Sequence, residues 1–234
     1  MKKATSLLGC TLLLLTGLYP AGSLITACFG YRFRLISIPA FSAVLALPAI
    51  CAVLTDLADK RAHRNGAAGA FWIITAPLSL VNGLLFLFAC PQIGVLACTL
   101  IVFGCCCYLT VRHGRPPILK GITLVLSALM ILPFCFLSFF ALVFGNFGQD
   151  TVVETVDSPS GKYCAQVIDS DQGALGGNTL VEVQQNGGFD AILFQIEKKP
   201  QLVYFGNWGE FETMQIYWKD DKCLVINAVT YEIE

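Results

Sequence analysis

Five stretches of this sequence run twenty residues or longer without a single Asp, Glu, Lys, Arg or His: Thr5 to Phe29, Leu35 to Leu54, Gly69 to Cys90, Gln92 to Val111 and Gly121 to Gly145. A helix needs about 20 mostly apolar residues to cross a hydrocarbon core of about 30 Å. Each stretch therefore predicts a membrane-spanning helix, and residues 1–145 read as an all-α membrane part with five transmembrane helices. Pro20, Pro39, Pro48, Pro77 and Pro133 fall inside these stretches. They would break helices in water, but in a bilayer neighbouring helices can satisfy the carbonyls that proline frees.

Composition supports the same reading and adds a division. Of the 234 residues, 56% are hydrophobic and only 13% charged, with a formal net charge of −1. Soluble domains run about 45–50% apolar and about 25% charged, so a disordered chain and a plain soluble enzyme are both excluded. The near-neutral total hides two opposite halves. Residues 1–145 carry ten Lys+Arg against two Asp+Glu, a charge of +8, and residues 146–234 carry five against fourteen, a charge of −9.

Short basic loops set membrane orientation. Lys2, Lys3, Lys60, Arg61, Arg64, Arg112, Arg115 and Lys120 fall on one side of the five crossings, and only Arg32 and Arg34 on the other. Eight against two predicts a cytoplasmic amino terminus and an extracytoplasmic region 146–234. The first segment keeps two readings. Ile25-Thr26-Ala27-Cys28 resembles a bacterial lipobox, which would make Cys28 a lipidation site. The preceding apolar stretch exceeds the usual signal region of about 7–15 residues, which favours an ordinary first helix.

Beyond Gly145 short apolar runs alternate with turn residues. Val152–Val156, Tyr163–Ile168, Leu180–Val183, Ala191–Ile196, Leu202–Phe205, Met214–Trp218 and Cys223–Ile233 predict about seven strands,. Tyr163, Ala165 and Val167 form a period-two apolar face,. No helical period intervenes, so residues 146–234 predict an antiparallel sheet or small sandwich. Ser158-Pro159-Ser160-Gly161-Lys162-Tyr163 resembles the S-P-D-G-K-Y turn of a bacterial domain family of unknown function, usually found behind one or a few transmembrane helices. Asp171-Gln172-Gly173-Ala174-Leu175-Gly176-Gly177 is similar to that family's D-x-G-A-x-x-G turn, and Ile216–Ile226 to its closing hairpin. The resemblance implies a β fold and an extracytoplasmic place, and no activity.

Candidate chemistry is sparse. His63 and His113 are expected to be solvated residues of cytoplasmic loops. Asp169 and Asp171, with Glu182, resemble the start of a calcium loop, although Gly173 and Leu180 stand where an EF-hand needs an oxygen ligand and a glutamate,. The alternative is a polar turn. Glu154, Asp190, Glu210 and Glu212 could supply a glycosidase-type carboxylate pair or merely charged outer faces,. Nine of eleven cysteines, including Cys105-Cys106-Cys107, lie in or beside apolar helices as small packing residues,. Cys164 and Cys223 are the pair that an oxidising exterior could bridge,. Trp208 and Phe211 sit in a glycine-containing loop, either exposed as a partner-contact surface or buried as a cap on the core, and Trp218 is expected in the core,. Asn82, at mid-membrane depth, is expected to hydrogen-bond between helices,.

No catalytic residue, no cofactor and no nucleic-acid partner are expected; the bilayer is the one partner composition requires. The expected function is non-enzymatic: the β domain binds an envelope component or a membrane-protein partner and the helices anchor it. An accessory subunit of a transporter or channel, and an envelope hydrolase using outer carboxylates, are the alternatives.

Overall fold

A computed structural model describes residues 2–58, 66–114, 117–145, 148–173 and 176–233. Lys60, Arg61, His63, Arg64, Arg115, Ala174 and Leu175, on which parts of the sequence reading rest, lie outside the described residues. Five helices are long and apolar enough to span a membrane, and antiparallel sheets follow them. The chain is a multi-pass membrane protein with a C-terminal β region.

The helices are α1 (Lys2–Cys28), α2 (Ile38–Ala58), α3 (Gly66–Ala89), α4 (Ile93–His113) and α5 (Pro117–Phe144). Two of them run further at their carboxyl ends than apolarity alone indicates. α2 continues past Leu54 to Ala58 and α4 past Val111 to His113. Each extension contains a residue that pairs with the other helix, Asp56 in α2 and Arg112 and His113 in α4, so the last turn stays helical although it is no longer apolar. α4 packs on α2 and α3, and α5 on α3. Small residues permit the close approaches. A Cβ on Gly83 would collide with the Thr99 side chain, and one on Gly69 would collide with the main-chain carbonyl of His113.

The strands are β1 (Tyr31–Leu35), β2 (Gln149–Asp157), β3 (Tyr163–Asp171), β4 (Gly177–Gln185), β5 (Gly188–Asp190), β6 (Phe194–Lys198), β7 (Gln201–Asn207), β8 (Ile216–Asp220), β9 (Cys223–Ile226) and β10 (Val229–Glu232). They form a four-stranded sheet in the order β2-β3-β4-β7 and three-stranded sheets in the orders β10-β9-β8 and β1-β6-β5. More strands form than the sequence predicts. The run Cys223–Ile233 folds into two strands, because Asn227 and Ala228 both take positive φ (49° and 66°) and close a two-residue hairpin between Ile226 and Val229,. The run Ala191–Ile196 supplies β6 only from Phe194, after a turn from β5.

The period-two face of β3 is buried as expected. Tyr163, Ala165 and Val167 meet Val181 and Val183 of β4 and Leu224 and Ile226 of β9 in one core, with Ile233 closing it. Trp218 packs against this core, as expected, and its indole Nε1 donates to the carbonyl of Val156 (2.9 Å).

Two compact units result, and their border departs from a single cut at residue 145. Residues 1–25 and 35–145 form the helical unit; residues 26–34 join 146–234 in the β unit. The reason is β1. The connection between α1 and α2 pairs with β6, stacks Phe33 on Phe194 (centroids 4.7 Å apart) and sets Arg32 3.8 Å from Glu197.

Candidate functional site

In the β unit, one end of the four-stranded sheet opens into a pocket of about 220 Å³. Tyr163, at the start of β3, and Gln185, at the end of β4, are register partners at its edge. Lys198 at the end of β6, Lys199 in the turn that follows and Gln201 at the start of β7 line it with them. Val183 and Tyr163 belong to the core, so the floor is apolar where the rim is polar. The rim is tied down. The main-chain N–H of Lys199 donates to the carbonyl of Gly30 (3.0 Å), and that of Asn186 to the carbonyl of Lys162 (2.8 Å). The Lys162 ammonium stands 5.0 Å from the centroid of the Tyr163 ring.

The residues singled out in the sequence fall elsewhere. Asp169 and Asp171 alternate with Ser170 along β3 and share one face of the sheet, opposite Thr179 and Gly177. Glu182 pairs with Gln166, whose side chain points to the other face, so the sheet separates Glu182 from the two aspartates,. This corrects the three-carboxylate arrangement. Among the described residues no group of three His, Cys, Asp or Glu side chains is placed to hold a metal. Asp171 instead accepts from the N–H of Gly173 (2.7 Å), forming the polar turn that was the alternative,.

Cys164 and Cys223 are free thiols. Burial pushes the Cys164 thiol up, helped by its hydrogen bond to Asp157; burial and a hydrogen bond to Asp220 do the same to Cys223. Each sulfur thus has a carboxylate partner of its own. Cys28 is exposed at the end of α1.

The aromatic loop divides. Trp208 is 56% exposed, yet its ring lies where a Cβ of Gly177 would stand, 2.6 Å from Cδ1. Glycine at 177 is what lets the indole rest on the strand. Phe211 packs against the core, and its N–H donates to the Thr179 hydroxyl (3.3 Å). Glu210 is bound by the Tyr204 hydroxyl (2.7 Å) and the Asn207 amide (2.8 Å), contacts that hold its carboxyl below the usual range. Glu154 lies on β2 and Asp190 on β5 of a different sheet.

In the helical unit a second polar site emerges that the sequence reading missed. Asp56 is 3% exposed and His113 6%. His113 Nε2 lies 2.6 Å from Asp56 Oδ1, while Oδ2 accepts from the Tyr108 hydroxyl (3.1 Å) and Arg112 Nε (3.2 Å). His113 is therefore a buried helix-end residue and not a solvated loop histidine. The loop expectation failed because α2 and α4 extend until these groups meet. The available signal was that Asp56 is one of only two acidic residues in the first 145. A carboxylate so placed needs nearby partners to offset its desolvation.

Comparison of the chain with family models, with curated proteins and with solved structures yields no match.

Proposed function

We propose that this protein is a membrane-anchored binding protein whose β unit lies outside the cytoplasm and recognises an envelope component or a partner there. The observation that carries the binding role is the 220 Å³ pocket, which has an apolar floor, a polar rim and a main-chain frame already hydrogen-bonded. Concave sites of this make-up are the usual places where small groups bind. The helices supply the anchor, in keeping with Asp56, Arg112 and His113, ionisable side chains that pair with one another at helix ends,.

Topology supports the orientation by a parity argument. β1 precedes α2, β6 follows α5, and both belong to one sheet. Two strands of one sheet stand on the same side of a membrane, so an even number of crossings must separate them. Four helices do so. One helix, α1, separates β1 from the amino terminus, and the basic-residue count favours a cytoplasmic amino terminus, which leaves the β unit outside,. Its two exceptions, Arg32 and Arg34, belong to a strand of the β unit. The resemblance of residues 158–163 to an extracytoplasmic domain family agrees with this placement.

The test is site-specific photocrosslinking of the full chain in its native membrane. A photoreactive residue at Gln185 in the pocket is expected to trap an adduct of defined mass. The same residue at Tyr217, exposed on β8 away from the pocket, is expected to trap none. No adduct at 185, or the same adducts at both positions, would sink the binding role.

A further inference from the structure

We infer that this pocket takes the anionic head of a small ligand, a phosphate or carboxylate group, with Lys198 and Lys199 as its cationic contacts; the inference rests on the binding role proposed above. Charge is the first argument. Residues 146–234 hold five basic side chains against fourteen acidic ones, yet Lys198 and Lys199 line one pocket and Lys162 stands over the ring of Tyr163, which lines it too. An anion approaching so acidic a region is repelled by most of its surface and attracted here. No carboxylate lines the pocket among the described residues. The nearest acidic residue in sequence, Glu197, alternates away from Lys198 along β6 and is occupied, accepting from Gln184 Nε2 (3.1 Å) and pairing with Arg32,.

Size and lining give the second argument. At about 220 Å³ the pocket is smaller than the range of about 300–1,000 Å³ typical of drug-sized ligands, so it suits a head group,. Ammonium groups and the side-chain amides of Gln185 and Gln201 can donate to oxyanions, and charge-assisted donors are the stronger kind. The apolar floor of Val183, Pro200 and Ile233 lowers the local dielectric and strengthens those contacts,. Pro200 fixes its own φ directly after the two lysines, and the Lys199 N–H bond to Gly30 restrains them from the other side,. A lipid headgroup and a soluble phosphate offer the same chemistry, and Gly30 follows the end of α1 by two residues.

The test uses the full chain in nanodiscs of phosphatidylcholine, titrated calorimetrically with glycerol 1-phosphate. Saturable binding that weakens with added salt is expected. K198A/K199A should weaken it by at least about tenfold, K198R/K199R should retain it, and K219A, away from the pocket, should leave it unchanged. Unaltered melting of K198A/K199A shows that the variant is folded. Discs containing phosphatidylglycerol identify the source: lost glycerol 1-phosphate binding there marks a lipid headgroup as the ligand, and undiminished binding marks a soluble anion. Absence of saturable binding in phosphatidylcholine discs, or binding indifferent to K198A/K199A, overturns the inference. An adduct at Gln185 without an acidic group would then leave the binding role standing, whereas no adduct there removes both.

Discussion

The side-chain amide of Asn82, on α3, donates to the main-chain carbonyl of Thr16, on α1. That carbonyl is the one four residues before Pro20, which has no N–H to offer it,. The proline frees the Thr16 carbonyl and the asparagine, 66 residues beyond Thr16 in sequence, occupies it, so the two are halves of one interhelical contact. Asn82 is 1% exposed, and its Oδ1 has no partner among the described residues. It lines a cavity of about 10 Å³ with Thr16, Ser42, Ser79 and Thr99, room for about a single water that would satisfy it,.

Asn82→Ala should therefore lower stability in detergent by about 1–2 kcal/mol, because a buried carbonyl loses its donor. Pro20→Ala restores a main-chain N–H to Thr16. The double variant should recover much of the loss, and thermal melts of the four proteins form the cycle that measures it. Equal losses in the single and double variants would contradict the coupling.

The Asp56 cluster should behave as a lock with unequal members. Removing one partner of a buried pair typically costs about 3–5 kcal/mol, because the other charge remains buried. Arg112 is half-exposed and water can replace it. Asp56→Ala and His113→Ala are expected to lower the melting temperature in micelles far more than Arg112→Ala. Gly69→Ala should also destabilise, since its Cβ would push the end of α4 away.

How legible the chain is follows from the range of the signals. The five spans and the buried face of β3 depend on residues neighbouring in sequence, where apolarity and period two are read directly. The Asp56–His113 pair joins residues 57 apart, and pairing rather than apolarity keeps the ends of α2 and α4 helical. β1 was hidden for the same reason, since Tyr31–Leu35 is a strand only because β6 pairs with it. The pocket draws on the first residue of β3, the last residues of β4 and the β6–β7 turn, so no single segment carries its signature. The carboxylates 169, 171 and 182 looked close in sequence, and the alternation of strand side chains separated them.

Ala228 occupies the second position of the β9–β10 turn with φ of 66°. A side chain there costs about 1–2 kcal/mol relative to glycine, and Asn-Gly is the favoured pair for such turns. Ala228→Gly should raise the melting temperature of the β unit, read by near-ultraviolet circular dichroism, in spite of the entropy glycine adds to the unfolded chain. A fall would show that the turn is not strained.

Free thiols at Cys164 and Cys223 give a count. The denatured chain, alkylated without prior reduction, should take up eleven groups, one per cysteine. Two fewer would reveal a bridge. In the folded chain at pH 8 both should react slowly, since the thiol rather than the thiolate predominates when burial and a neighbouring aspartate raise the pKa,.

Acid should loosen the β unit in a defined direction. Glu210 is held below its ordinary value of 4.5 by Tyr204 and Asn207, Asp221 below 3.8 by the N–H of Ser160, and Asp220 below 3.8 by the N–H of Lys222. A carboxyl with a lowered folded pKa stabilises fully above its unfolded value and loses that contribution as pH falls through the folded one. Stability should therefore be level above about pH 5 and decline below it. Glu210→Gln removes one titrating group and should flatten that decline at the Tyr204 end of the sheet, followed by melting of the full chain between pH 6 and 3. An unchanged acid slope would mean that the Tyr204 and Asn207 contacts to Glu210 contribute nothing to the fold.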